Sequence, residues 1–154
     1  VTTLWPVVQA GLVTLLPTLS GWENTTVYDG APLAGDAPGD DGISSYCAVG
    51  YVEDEAGAGS WQQQPEGSGF FDLEAGEVRS GLFVGNGDDD LPAARTAAFA
   101  LVDALQASMK ADRRLGCLPN GATSSLSADV LPVQDSEVTG VLLILSVSYT
   151  APVT

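Results

Sequence analysis

The chain has 154 residues, the size of one compact domain with room for a hydrophobic core. Its apolar share of 45% argues against wholesale disorder, and five Lys and Arg against twenty Asp and Glu give a net charge of -15. Such a surface repels nucleic-acid phosphates and anionic lipid, which argues against tight duplex binding and against a membrane-surface role.

The apolar stretch from Val1 to Leu19 lacks a basic leader and a small-residue cleavage site, and Pro6, Gln9 and Pro17 interrupt it. It therefore reads as neither a signal peptide nor a membrane span, and the expectation is a product made and folded in a cytoplasm. Leu4, Val8, Leu12, Leu15 or Leu16, and Leu19 recur at three- and four-residue steps, which predicts an amphipathic helix. Thr3 is its expected cap, Pro6 fits the first turn, and Pro17 with Ser20-Gly21 ends it. A short strand is expected at Thr25 to Tyr28, closed by the turn dipeptide Asp29-Gly30.

Ala31 to Gly42 is Gly, Ala, Pro and Asp with one Leu, and reads as a long surface loop. Ile43 to Val52 reads as a strand whose inward parity holds Ile43, Cys47, Val49 and Tyr51. After an acidic, Gly-rich turn from Glu53 to Gly59, a strand is expected around Phe70 and Phe71 and another at Glu77 to Val84. Glu74-Ala75-Gly76 is short enough to join these two as a hairpin.

Gly85-Asn86-Gly87 and the run Asp88, Asp89, Asp90 lead into a strong helix with Asp90 as cap and Pro92 in the first turn. Its apolar stripe is Leu91, Ala94, Ala98, Leu101, Leu105 and Met109. Lys110, Arg113 and Arg114 suit its negative end, and Gly116 is the expected stop. Ser124 to Val133 then reads as a strand with an edge or bulge near Pro132. Val138 to Tyr149 is the most apolar strand, and Val141 to Leu145, apolar on both faces, belongs in the centre of the sheet. The expectation is one α+β domain over residues 1–154, with two helices packed on one mainly antiparallel or mixed β-sheet and long acidic Gly-rich loops.

Candidate chemistry is sparse. There is no histidine, which removes Ser-His-Asp and Cys-His nucleophiles. The two cysteines, Cys47 and Cys117, make neither a disulfide scaffold nor a zinc site and read as partly buried thiols. Gly85-Asn86-Gly87 sits between a strand and a helix but lacks the dinucleotide pattern and the phosphate-loop lysine. Asp36, Asp40 and Asp41, like Asp88 to Asp90, do not follow calcium-loop spacing. Composition leaves a paired-carboxylate enzyme open, since spatial separation is invisible in a sequence. No catalytic residue, metal ligand or cofactor site is assigned. Three Gly- and acid-rich stretches around a modest core, with sheet edges, instead suggest an interaction module.

Taken in order, several segments resemble one family. They are the opening helix, the turn Val27-Tyr28-Asp29-Gly30, the strand Cys47-Ala48-Val49-Gly50-Tyr51, and the hairpin strand Glu77-Val78-Arg79 to Phe83-Val84. The helix Pro92 to Leu105 with its early Arg95, then Asp112-Arg113-Arg114-Leu115-Gly116 and the strand Gly140 to Tyr149, complete the series. The chain is similar to the tail terminator proteins of long-tailed, siphovirus-type bacteriophages, especially those infecting actinobacteria. That resemblance implies a non-enzymatic virion protein at the head-proximal end of the tail, with no catalytic residues. It would form a closed ring, of six copies in the family, that caps the tail tube, ends its polymerisation and meets the head connector. The partners implied are further copies of the chain, the major tail tube protein and a connector or stopper, with DNA passing through but not held tightly. Asp88, Asp89 and Asp90, with Asp54 and Glu55, are the candidate channel-lining residues. The loop carrying Leu33, Asp36, Asp40 and Asp41 is the candidate contact to a neighbouring ring. The alternatives are a head-completion or stopper protein of the neck and, from another class, a carboxylate-based enzyme or calcium-binding module.

Overall fold

A computed structural model describes residues 3–32, 45–52, 57–65, 72–85, 90–134 and 139–153. It has two helices, α1 (Trp5–Leu15) and α2 (Leu91–Ala111), and six strands. The strands are β1 (Thr26–Asp29), β2 (Ser45–Val49), β3 (Gly59–Pro65), β4 (Asp72–Gly85), β5 (Thr123–Gln134) and β6 (Thr139–Val153). They form one mixed sheet in the order β1-β2-β4-β6-β5, with β3 also paired to β4. The expected α+β architecture, two helices on one mixed sheet, is therefore what the chain adopts.

Only β1 and β2 run parallel; the remaining pairs are antiparallel. Parallel neighbours cannot be joined by a tight hairpin and need a crossover of a dozen or more residues. The length of the Ala31 to Gly42 stretch thus has a topological reason. β4 is shared on one side: its first half pairs with β3 through Asp72–Val78, and its second half pairs with β2 through Gly81–Val84. Its other side pairs with β6 along its whole length. As expected, Val141 to Leu145 lies inside the sheet, between β4 and β5. β5 is an edge strand, and its register runs through Pro132 opposite Val141 without interruption.

Both helices pack on the same face of the sheet. Val8 and Leu12 from α1, and Ala94, Ala98, Leu101, Leu105 and Met109 from α2, join Val78, Leu82, Leu143, Leu145 and Val147 in one core. Two indoles pin the helical layer. Trp22, fully buried, donates from Nε1 to the Leu101 carbonyl at 3.0 Å, and Trp5 Nε1 donates to the Glu77 carbonyl at 2.9 Å. Asp90 caps α2 as expected, its Oδ1 accepting the Ala93 N–H at 3.1 Å.

Four local expectations are corrected. The α1 cap is not Thr3: Leu4 holds the cap position without a side-chain bond to its own helix, and its N–H donates to Glu74 Oε2 at 2.8 Å. Glu74-Ala75-Gly76 is no turn but the interior of the 14-residue β4. Small Gly76 is tolerated there because Tyr149 lies over it; a Cβ would sit 2.5 Å from the phenol oxygen. Tyr51 is not inward, since β2 ends at Val49 and positive-φ Gly50 turns the chain, leaving Tyr51 37% exposed. Gly116 does not stop α2, which ends at Ala111. Instead Asp112 accepts the N–H groups of Arg114 and Gly116 in a separate turn. Ile43, Phe70 and Phe71 lie outside the described residues.

Candidate interaction surfaces

Of the residues the sequence singles out for function, only Asp90 is among the described ones, and it is the exposed cap of α2. Asp88, Asp89, Asp54 and Glu55, and Leu33, Asp36, Asp40 and Asp41, lie outside them. The surfaces that the fold does define come from strands whose outward parity the sequence reading left unused.

The first is the sheet face opposite the helices. Cross-strand partners share a face, so the register places Tyr46, Phe83, Leu142 and Leu131 in one row; Phe83 is buried, as are Ala48 and Ile144 on the same face, and Leu131 is the exposed member. Tyr28 extends that row. Its ring meets Tyr46 edge-on at 6.2 Å, and Tyr46 stacks on Phe83 at 5.8 Å. Further along the same face the composition changes to hydroxyls. Ser146, Ser148 and Thr150 of β6 stand opposite Ser127, Ser125 and Thr123 of β5, beside Glu77 and Arg79 of β4. Arg79 Nε lies 3.8 Å from Glu77 Oε1. The lower half of β6 thus alternates an apolar helix-side residue with a hydroxyl, the period-2 signature of a face built to meet solvent or a polar partner.

The second surface is the pair of sheet edges. β5 bounds one side, and β1 with β3 bounds the other. Trp61 on β3 is 48% exposed, and Val130 and Leu131 on β5 are each 43% exposed. A long edge strand with apolar side chains and few charges is a template for pairing.

The third is a groove of about 720 Å³ beside α2, bordered by Gly21, Thr25, Ser45, Ala97, Leu101 and Ala104. Its size is ordinary for a ligand cleft, and its polar lining is Ser20, Asn24, Asp103 and the Thr25 and Ser45 hydroxyls, which lie 3.1 Å apart.

Titratable chemistry is structural. Glu74 is fully buried, and its Oε2 accepts both the Leu4 N–H at 2.8 Å and the Tyr149 hydroxyl at 2.9 Å; Oε1 has no partner among the described residues. Burial, reinforced by the bond to Glu74 and that group's charge, pushes the Tyr149 phenol up. Burial alone raises the Cys47 thiol to about 12, and burial with the Asp112 charge raises Cys117. Both thiols are therefore poor nucleophiles at neutral pH. Among the described residues no group of His, Cys, Asp and Glu could hold a metal, and no helix is long and apolar enough to cross a membrane.

No family model matches the chain, and a search of the curated proteins returns no match.

Proposed function

We propose that the protein is a structural virion component that assembles as a closed ring, caps the tail tube of a long-tailed bacteriophage, ends tube growth and forms the joint to the head connector. One observation carries most of the weight: opposite edges of a single sheet both present exposed apolar side chains, Trp61 on one and Val130 with Leu131 on the other. A ring needs a head-to-tail contact in which two different patches of one chain meet. Opposite sheet edges are such a pair. The ordered resemblance to tail terminators, from the first helix to the Gly140–Tyr149 strand, supplies the biological setting.

The surface chemistry agrees with that role. A net charge of -15 and a hydroxyl-rich open face hold few cations on which a passing duplex could lodge. The acidic residues Asp88 to Asp90, Asp54 and Glu55 remain proposed for the channel, and the loop with Leu33, Asp36, Asp40 and Asp41 for the neighbouring ring. The direct test is a co-assembly assay with the tail tube protein of the same phage. Substoichiometric chain should stop tube elongation and be found by antibody at one tube end only. Tubes that grow unchanged and carry no chain at either end would refute the reading.

A further inference from the structure

Resting on the ring reading and deepening it, we infer that the cationic turn after α2, formed by Lys110, Arg113 and Arg114, is where each copy receives carboxylates of the next copy. The chain has five cations against twenty carboxylates, and three of the five fall between Lys110 and Arg114. The other two, Arg79 and Arg95, stand apart from each other and from this turn, on β4 and near the start of α2. All three clustered cations are exposed.

The local structure keeps these cations available. The one carboxylate inside the turn, Asp112, is committed to the backbone: Oδ1 accepts the Arg114 N–H at 3.0 Å and Oδ2 the Gly116 N–H at 2.9 Å. Among the described residues none of the three cations is ion-paired, although carboxylates outnumber cations fourfold. The two guanidiniums are also held in place. Arg113 Nη1 donates to the Ser124 carbonyl at 3.2 Å, Ser124 Oγ donates back to the Arg113 carbonyl at 2.8 Å, and Arg114 Nε donates to the Leu118 carbonyl at 2.9 Å. Each guanidinium spends one of its five N–H donors on that anchor and keeps the rest, so a carboxylate meets donors whose freedom is already reduced. The negative end of α2 explains a cation in its last turn, Lys110, but Arg113 and Arg114 lie beyond the helix.

Charge complementarity selects a second copy as the occupant. Two copies of -15 bring carboxylate towards carboxylate over most of their surfaces, whereas at this turn an approaching copy meets three cations together. Within one chain the opposite end of the 21-residue α2 begins with Asp90, about 30 Å away, several times the screening length of about 8 Å. Anionic and cationic ends therefore attract between copies and not within one, which suits a head-to-tail contact between two different patches. A duplex fits less well, because its phosphates extend past three cations onto an acidic surface.

Lys110 is the sole lysine of the chain, so carbodiimide coupling of a lysine amine to a carboxylate reports on this turn alone. Rings assembled from isotope-labelled and unlabelled full chain should yield amide-linked peptide pairs joining Lys110 of one copy to an Asp or Glu of another. Rings that yield no such link between copies would overturn the assignment. Lys110→Glu provides an independent arm. The position is exposed, so monomer melting should hold, while self-association should weaken about tenfold or more at low salt and recover towards the parent as salt is raised. Lys110→Arg, which keeps the charge, should associate like the parent. Equal association of Lys110→Glu and parent at low salt would overturn the contact and leave the ring reading standing. A parent that retains duplex DNA where Lys110→Glu does not would overturn it too, by giving the turn to phosphate. Unsubstituted chain that never self-associates would instead defeat the ring reading itself.

Discussion

Glu74 offers a demanding test of how α1 is held. The carboxylate is fully buried at the junction of α1, β4 and β6, where Oε2 receives the Leu4 N–H and the Tyr149 hydroxyl. Replacing it by Leu removes the cost of burying a carboxylate but orphans two buried donors. Each donor left unpaired costs about 1–3 kcal/mol, and the relief from burying no charge recovers part of that sum. The donors should win, because one belongs to the start of a helix and cannot turn away. Glu74→Leu is therefore expected to lose about 2–4 kcal/mol in urea unfolding, with unchanged m-value. Tyr149→Phe alone should lose about 1–2 kcal/mol. The double variant should lose less than the sum, since removing the hydroxyl removes one orphan, with a coupling of about 1 kcal/mol. Strict additivity, or a Glu74→Leu protein as stable as the parent, would mean that the carboxylate does not organise this junction.

Leu105, 1% exposed on α2, should cost about 2–5 kcal/mol when truncated to Ala, and Leu101, 8% exposed, the lower part of that range; unfolding curves that coincide with the parent would mean the α2 stripe is not core. Asp90→Ala should destabilise by about 1 kcal/mol through loss of the Ala93 N–H acceptor, read by thermal melting, and an unshifted melt would remove the cap. Stability should fall between about pH 9 and 12. Unfolded chain releases the Cys47 proton near 9.0, whereas folded chain keeps it to about 12, so the contribution is complete below pH 9 and shrinks as pH rises. The full difference corresponds to about 4 kcal/mol, and Cys47→Ala should flatten the decline measured by urea titration at each pH. An equally steep decline in Cys47→Ala would assign it elsewhere.

The parts legible in the sequence are those where one face is buried and the period is unambiguous. The α2 stripe from Ala94 to Met109, its Asp90 cap and the doubly apolar Val141 to Leu145 follow directly from spacing, because their burial is set by local pattern. The parts that were not legible depend on distant partners. Glu74-Ala75-Gly76 looks like a turn until Tyr149, paired opposite Gly76 on β6, occupies the space that a side chain would need. Thr3 has the chemistry of a cap, but the acceptor that serves Leu4 is 70 residues away. β3, Gly-Ser-Trp-Gln-Gln-Gln-Pro, carries no apolar alternation because neither of its faces is deeply buried, so its strand character comes from pairing with β4 alone. The same holds for the candidate surfaces. The acidic loops stand out by composition, while Trp61, Val130 and Leu131 are placed at opposite sheet edges only once strand order is known.

The central claim, a closed ring, is tested most directly by native mass spectrometry of the purified full chain at assembly-like concentration, with negative-stain images of the same sample. The account predicts one dominant closed oligomer, six copies by the family resemblance, seen end-on as an annulus with an open centre. A strict monomer, both alone and in the presence of tail tube protein, would contradict it.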